Sequence, residues 1–156
     1  CKMPINNDFQ WSKKHWRSIE MNYHKAPYFN ELEKMIFSQI YERDWEFLGD
    51  LNIAFIEIIK NYLKITSDAY LSSELDIKSR GNQKIVDICK LLGADSFIVK
   101  PNTESYHPKA FFEERGIKLV YFNPISVPYL QQYGDFNSNL SALDYVMNCG
   151  SGELLW

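Results

Sequence analysis

Cysteine, histidine and glycine are scarce in this chain, and no long apolar run occurs. The 156 residues include three cysteines, Cys1, Cys89 and Cys149. An odd count without C-x-x-C spacing argues against a disulfide frame or a zinc site. Cys89 and Cys149 fall near the ends of predicted helices, where small hydrophobic side chains pack well. A reducing, cytoplasmic setting is expected. The histidines His15, His24 and His107 have no metal-ligand spacing. G-x-S-x-G, G-x-x-x-x-G-K-[ST] and G-x-G-x-x-G are all missing, which argues against P-loop and nicotinamide chemistry. No cofactor is therefore expected. The most apolar stretch, Ile53 to Ile59, is broken by Glu57 and falls far short of the roughly 20 residues that a spanning helix needs. No segment has the layout of a secretory leader. The net charge of −3 supplies no global field for nucleic acid. The chain opens on "CKMPIN" without an initiator Met, which reads as a fragment of a longer protein.

What is present is an ordinary globular composition with an excess of rings. Hydrophobic residues make up 46% and charged residues 24%, values of a soluble globular chain. A chain of this length buries roughly 68–70% of its unfolded surface and needs no staples. Aromatics reach 15%, with ten Tyr and ten Phe. Tyrosine, apolar in body and polar at its tip, suits half-buried sites and pockets as well as cores. Charge is locally uneven: Lys13, Lys14, Arg17 and Lys25 lie between Trp11 and Lys25, with Glu20 as the sole acid. This is a solvated helix face or a basic surface for an anionic ligand.

A single domain over residues 1–156 is expected, mainly helical over 1–64 and α/β over 65–156. Ser12 is a candidate cap for a helix carrying His15 or Trp16, Ile19 and Tyr23 at three- and four-residue spacing. The Ala26-Pro27 step predicts a break. A second helix carries Phe29, Leu32, Ile36 and Ile40. A third places Leu48, Leu51, Phe55, Ile58 or Ile59, and Tyr62 on one stripe. Next come a strand-like run within Asp68 to Leu75 and a helix "KIVDICKLLGA" stopped by Gly93. A strand at Ser96 to Lys100 follows, then a helix from Pro108 to Gly116 and a strand at Ile117 to Phe122. The order strand, helix, strand, helix, strand predicts a parallel α/β sheet, closed by a C-terminal helix. Ligands of such sheets bind beyond the carboxyl ends of the strands. Here those ends are Ser72-Ser73-Glu74, Lys100 to Thr103 and Asn123 to Ser126. The stretch "PYLQQYGDFNSN" leaves the last of these and reads as a wall of the site.

Three stretches taken together resemble the WbqC-like protein family. They are "WSKKHWRSIEMNYHKAPYF", then "KIVDICKLLGADSFIV" followed by Tyr106 and "FFEERGIKLVYF", and finally "PYLQQYGDFNSNLSALDYVMNCG". The resemblance covers essentially the whole chain and implies the C-terminal two-thirds of a family member. The family opens with a strand and a Pro/Tyr-rich turn, and none of that precedes Cys1. Where the family commonly carries a Ser-Gly pair after the middle strand, this chain has Val99 and Lys100. A loop that needed glycine for close approach to a ligand is altered there.

The resemblance implies a role in bacterial surface-polysaccharide biosynthesis of the O-antigen type, with transfer of an aminoacyl or acyl group, such as glycine, onto an amino sugar. The implied partners are a nucleotide-linked amino sugar or glycan and an acyl donor or carrier protein. A non-catalytic module binding glycan, sugar nucleotide or carrier is the alternative.

His15 is the candidate base, since an imidazole can take a proton from an amine near neutral pH; a histidine satisfied at the core edge is the plainer reading. His24, near Glu20 and Arg17, reads as solvated. Tyr106, His107, Tyr129, Gln131 and Asn139 are candidate substrate contacts, and Lys14 belongs to the basic face that suits an acidic carrier. Ser141 and Asp144 have capping-box spacing, with Asn139 as a competing cap. Asp144 is thus expected to serve the helix start and not the chemistry.

Overall fold

The computed structural model describes residues 2–138 and 140–152. The chain has mixed α/β structure and divides into two compact units, one formed by Cys1–Thr66 with Ser126–Trp156 and the other by Ser67–Ile125. The C-terminal segment, grouped with the sheet in the sequence reading, thus belongs to the helical unit. The described part contains no helix long and apolar enough to cross a membrane.

In the first unit, α1 runs over Trp11–Tyr23 and α2 over Phe29–Ile36. Ser12 is not the cap of α1: the helix starts one residue earlier, after Gln10 in the left-handed region (φ 47°). Asn7 ties this entry down by accepting from Trp11 Nε1 at 2.8 Å. The break at Ala26-Pro27 occurs as expected. Beyond α2 the chain winds into one wide turn of π-helix, Phe37–Tyr41, closed by Glu42 N–H on the Phe37 carbonyl at 3.1 Å. A π turn shifts the helical phase, and here the adjacent residues Ile40 and Tyr41 are both buried. Helix α3, Leu48–Tyr62, buries Leu51 and Ile58, with Phe55, Ile59 and Tyr62 partly buried beside them.

The C-terminal helix, α6, spans Ala142–Cys149. Its Val146 and Met147 are fully buried in the core formed by Trp16, Phe29, Leu32, Ile36 and their neighbours. That apolar stripe is what returns the C-terminal segment to the helical unit. Tyr28 N–H bonds the Met147 carbonyl at 3.1 Å. Gly150 ends the helix at φ 71°, and a Cβ there would lie 2.5 Å from the Tyr28 ring, so both backbone angle and space require glycine.

The second unit contains α4 (Gly81–Leu91), β1 (Ser96–Val99), α5 (Lys109–Glu113) and β2 (Lys118–Tyr121). The strands pair in parallel, from Ser96 opposite Lys118 to Val99 opposite Tyr121. Gly93 ends α4 at φ 69° with the reversed bond of a C-terminal cap, Ala94 N–H to the Cys89 carbonyl at 2.8 Å. Val86, Cys89, Val99, Phe112, Ile117 and Leu119 form the core. The run Asp68 to Leu75 forms turns and no strand. Its large apolar residues Tyr70 and Leu71 are adjacent, so a strand would point them to opposite faces, and both are exposed.

Candidate functional site

A cleft of about 420 Å³ opens in the helical unit, with α1 on one side and the 131–144 segment on the other. That is the scale of a small-molecule site. The helical period places His15, Ser18, Ile19 and Asn22 along the α1 side, with Tyr23 beyond Asn22. The facing side includes Gln131, Tyr133 and Asp144.

Asp144 organises that side. It lies in the first turn of α6 and is 4% exposed, the one buried charged side chain among the described residues. Ser141 caps the helix by accepting from Leu143 N–H at 3.2 Å, while the Asp144 side chain takes no part in the cap. Instead its Oδ2 accepts from Tyr129 Oη at 2.7 Å and from Gln131 Nε2 at 2.9 Å. Oδ1 accepts from Asn148 Nδ2 at 3.3 Å. Among the described residues no lysine, arginine or histidine forms an ion pair with it. The donors to this carboxylate among the described residues are neutral, an arrangement that depends on full hydrogen bonding.

Tyrosines gather around that charge. Burial, together with donation to the Asp144 carboxylate, pushes the Tyr129 phenol from 10.0 up to about 12. Burial and then the same carboxylate push Tyr23 up to about 12. Burial, followed by the Asp144 charge, raises the Cys149 thiol as well. Tyr129 also meets Phe136 and Tyr145 edge-on, with centroids 5.1 and 5.3 Å away. Gln131 closes the loop on itself: its Nε2 donates to the Asn137 carbonyl at 3.1 Å and its Oε1 accepts from Asn137 N–H at 2.8 Å.

On the opposite side His15 Nδ1 lies 2.9 Å from Tyr41 Oη, and the imidazole meets the Tyr41 and Phe55 rings edge-on. Burial raises the Tyr41 phenol, so this hydroxyl keeps its proton. The π turn is what carries Tyr41 to this position. With Nδ1 engaged, Nε2 is the ring nitrogen left for other chemistry.

The residues singled out by sequence fall into separate places. His15 and Gln131 line the cleft, and Tyr129 backs it through Asp144. Lys14 is exposed on α1 and does not line the cleft; its carbonyl accepts from Ser18 Oγ at 3.1 Å. Tyr106 and His107 belong to the sheet unit. The Tyr106 side chain is 75% exposed, and its carbonyl accepts from Asn82 Nδ2 at 2.9 Å. His107 Nδ1 lies 3.0 Å from Asn82 Oδ1, and its ring packs against Phe97 and Phe112. Asn139 lies outside the described residues.

Asp144 and Tyr41 were missed as site residues. Asp144 is one turn before Met147 and Asn148, on the inward side of α6, and capping spacing hid that signal. Tyr41 gave no signal, because its position depends on the π turn. Among the described residues no group of three His, Cys, Asp or Glu side chains is placed to hold a metal ion.

A model of the WbqC-like protein family matches residues 1–154. The chain is also similar to the uncharacterized protein Rv1507c of Mycobacterium tuberculosis, with 27% identity over 142 residues. That alignment covers 90% of this chain and 62% of the relative, so the chain spans about three-fifths of the relative's length. No solved structure matches the chain.

Proposed function

The chain belongs to the WbqC-like protein family, and from that premise we propose that it serves bacterial surface-polysaccharide biosynthesis as an N-acyl or aminoacyl transferase acting on a nucleotide-linked amino sugar. The observation that supports this reading best is the cleft itself, with His15 on one side and the buried Asp144 carboxylate on the other. The reaction needs little beyond positioning and a base, because an activated donor already carries the driving force.

In this reading the sugar amine nitrogen attacks the acyl carbonyl carbon. The amide C–N bond forms, and the bond from that carbon to the leaving group breaks, the leaving group keeping the electron pair. The proton released by the amine passes to His15 Nε2 and then to the leaving group or to solvent. For Nε2 to hold a lone pair, Nδ1 must carry the hydrogen and donate it to Tyr41 Oη. Tyr41 is then a positioning residue that holds the imidazole by accepting from Nδ1–H. Asp144 acts through Tyr129 and Gln131 by keeping the facing side in shape. Free Cys89 and Cys149 suit the reducing cytoplasm proposed as the location.

The test is incubation of the full-length protein with nucleotide-linked amino sugars and a panel of acyl and aminoacyl donors, read by mass spectrometry. An amide product is expected, and His15→Ala should lower kcat by about 10²-fold or more with little change in KM. If no donor–acceptor pair yields amide in the presence of the pathway's other proteins, the transferase reading fails. Tight sugar-nucleotide binding without turnover would instead select a non-catalytic module.

A further inference from the structure

Several side chains along the cleft have already committed hydrogens to other groups. Ser18 Oγ donates to the Lys14 carbonyl at 3.1 Å, and Tyr133 Oη donates to the Asn22 carbonyl at 3.1 Å. Gln131 Nε2 divides its hydrogens between the Asn137 carbonyl and Asp144. Asn22 directs Nδ2 to the Ser18 carbonyl at 2.7 Å. These bonds leave oxygen lone pairs on Ser18 Oγ, Tyr133 Oη and Asn22 Oδ1, none of which accepts a hydrogen bond from the described residues. Asp144 adds a carboxylate that has no cationic partner among them. No lysine or arginine occurs among the described lining residues.

The lining holds one uncommitted amide donor, the buried Gln132 Nε2, while the Asp144 carboxylate meets a phosphate or carboxylate with a charge of the same sign. The cleft offers a ligand rich in N–H and O–H groups several acceptors and a countercharge. We infer that the cleft selects an acceptor presenting a free amine on a hydroxylated ring, and discriminates against the N-acylated ring and against phosphate groups. This rests on the acceptor role proposed above and specifies which part of the acceptor the cleft holds. The sugar ring enters, and the nucleotide diphosphate stays outside. An ammonium carries three N–H donors and a positive charge and gives one proton to solvent before its nitrogen attacks, whereas the amide formed on acylation keeps one N–H and no charge. The product therefore binds more weakly than the substrate, and transfer itself helps to clear the site.

Saturation-transfer NMR and titration with glucosamine, N-acetylglucosamine and glucosamine 6-phosphate test this on the full chain. Glucosamine should bind about tenfold more tightly than the N-acetyl compound, as expected for loss of a charge-assisted contact. It should also bind more tightly than the phosphorylated sugar. Asp144→Asn should erase the preference for the free amine. Ser18→Ala and Tyr133→Phe, which leave Asp144 in place, should each weaken glucosamine about threefold, as removal of one neutral hydrogen bond would. Equal affinity for amine and N-acetyl forms, tighter binding of the phosphorylated sugar, or no saturation of any ring would overturn the inference. Amine selectivity without amide product in the transfer assay leaves it standing and removes the transferase reading. Amide formation without amine selectivity removes this inference alone.

Discussion

The two units of the chain use polar residues in opposite ways. The sheet unit buries six side chains in its core among the described residues, and the helical unit fourteen. In the small unit the polar groups mostly fasten chain to chain. Ser79 Oγ and Gln83 Nε2 donate to Asp87, 2.5 and 2.8 Å away, and these two bonds, the Ser79 one above all, hold the Asp87 carboxyl below its ordinary range. Asn82 bridges to the Tyr106 carbonyl and to His107. In the large unit one carboxylate is buried without a cationic partner among the described residues and presents a tyrosine–amide network to a cleft. A costly polar centre belongs where the apolar core is large enough to carry it.

The sharpest way to break this contrast is to unfold one unit and monitor the other. Phe112 is fully buried, and Phe112→Ala should destabilise the sheet unit by about 3–5 kcal/mol. The near-ultraviolet circular dichroism of the Tyr129 cluster should persist. Its loss together with the sheet unit would show that the units fold as one.

Next in size is Asp144→Ala. It strands the Tyr129, Gln131 and Asn148 donors, for a loss of about 3 kcal/mol in denaturant unfolding, with acceptor binding lost as well. A neutral result would mean that the carboxylate is a surface feature in disguise.

The tyrosines supply a pH test. Tyr23 and Tyr129 have folded values raised from 10.0 to about 12, so the native state retains their protons more tightly than the unfolded chain does. The stability they contribute is complete below pH 10 and declines as pH rises through about 12. Alkaline unfolding followed by phenolate absorbance should show this, and Tyr129→Phe should flatten the curve. An unchanged curve in that variant would separate the titration from the Asp144 network.

Tyr41→Phe is a smaller perturbation, about 1 kcal/mol of stability. Its informative readout is the pH profile of kcat, because His15 loses the partner that holds its Nδ1. The smallest effect is expected at Tyr106. Its exposed ring in the sheet unit should be replaceable by alanine with less than about a twofold change in KM if the helical cleft is the acceptor site. A larger rise would bring the sheet-unit loop into the site.

Much of this was legible in the sequence where the signal is local and periodic. Phe29, Leu32 and Ile36 all proved buried, because helical spacing alone puts them on one face. Gly93 and Gly116 mark helix ends at positive φ, as their chemistry demands. The location of "PYLQQYGDFNSN" was not readable. It was assigned to the edge of a parallel sheet, whereas Gln131 and Tyr133 line a cleft with α1.

The sequence by itself determined where the helices lie, two of the three strands read from it, and the apolar face of α6. Only the tertiary structure decided which core that face would join, that Asp144 would turn inward from a capping position, and that a π turn would set Tyr41 against His15. Periodicity acts over one helical turn and is written in neighbouring residues. Burial of a charge and the pairing of side chains 15 or 26 positions apart depend on which surfaces exclude water together, and no local pattern encodes that.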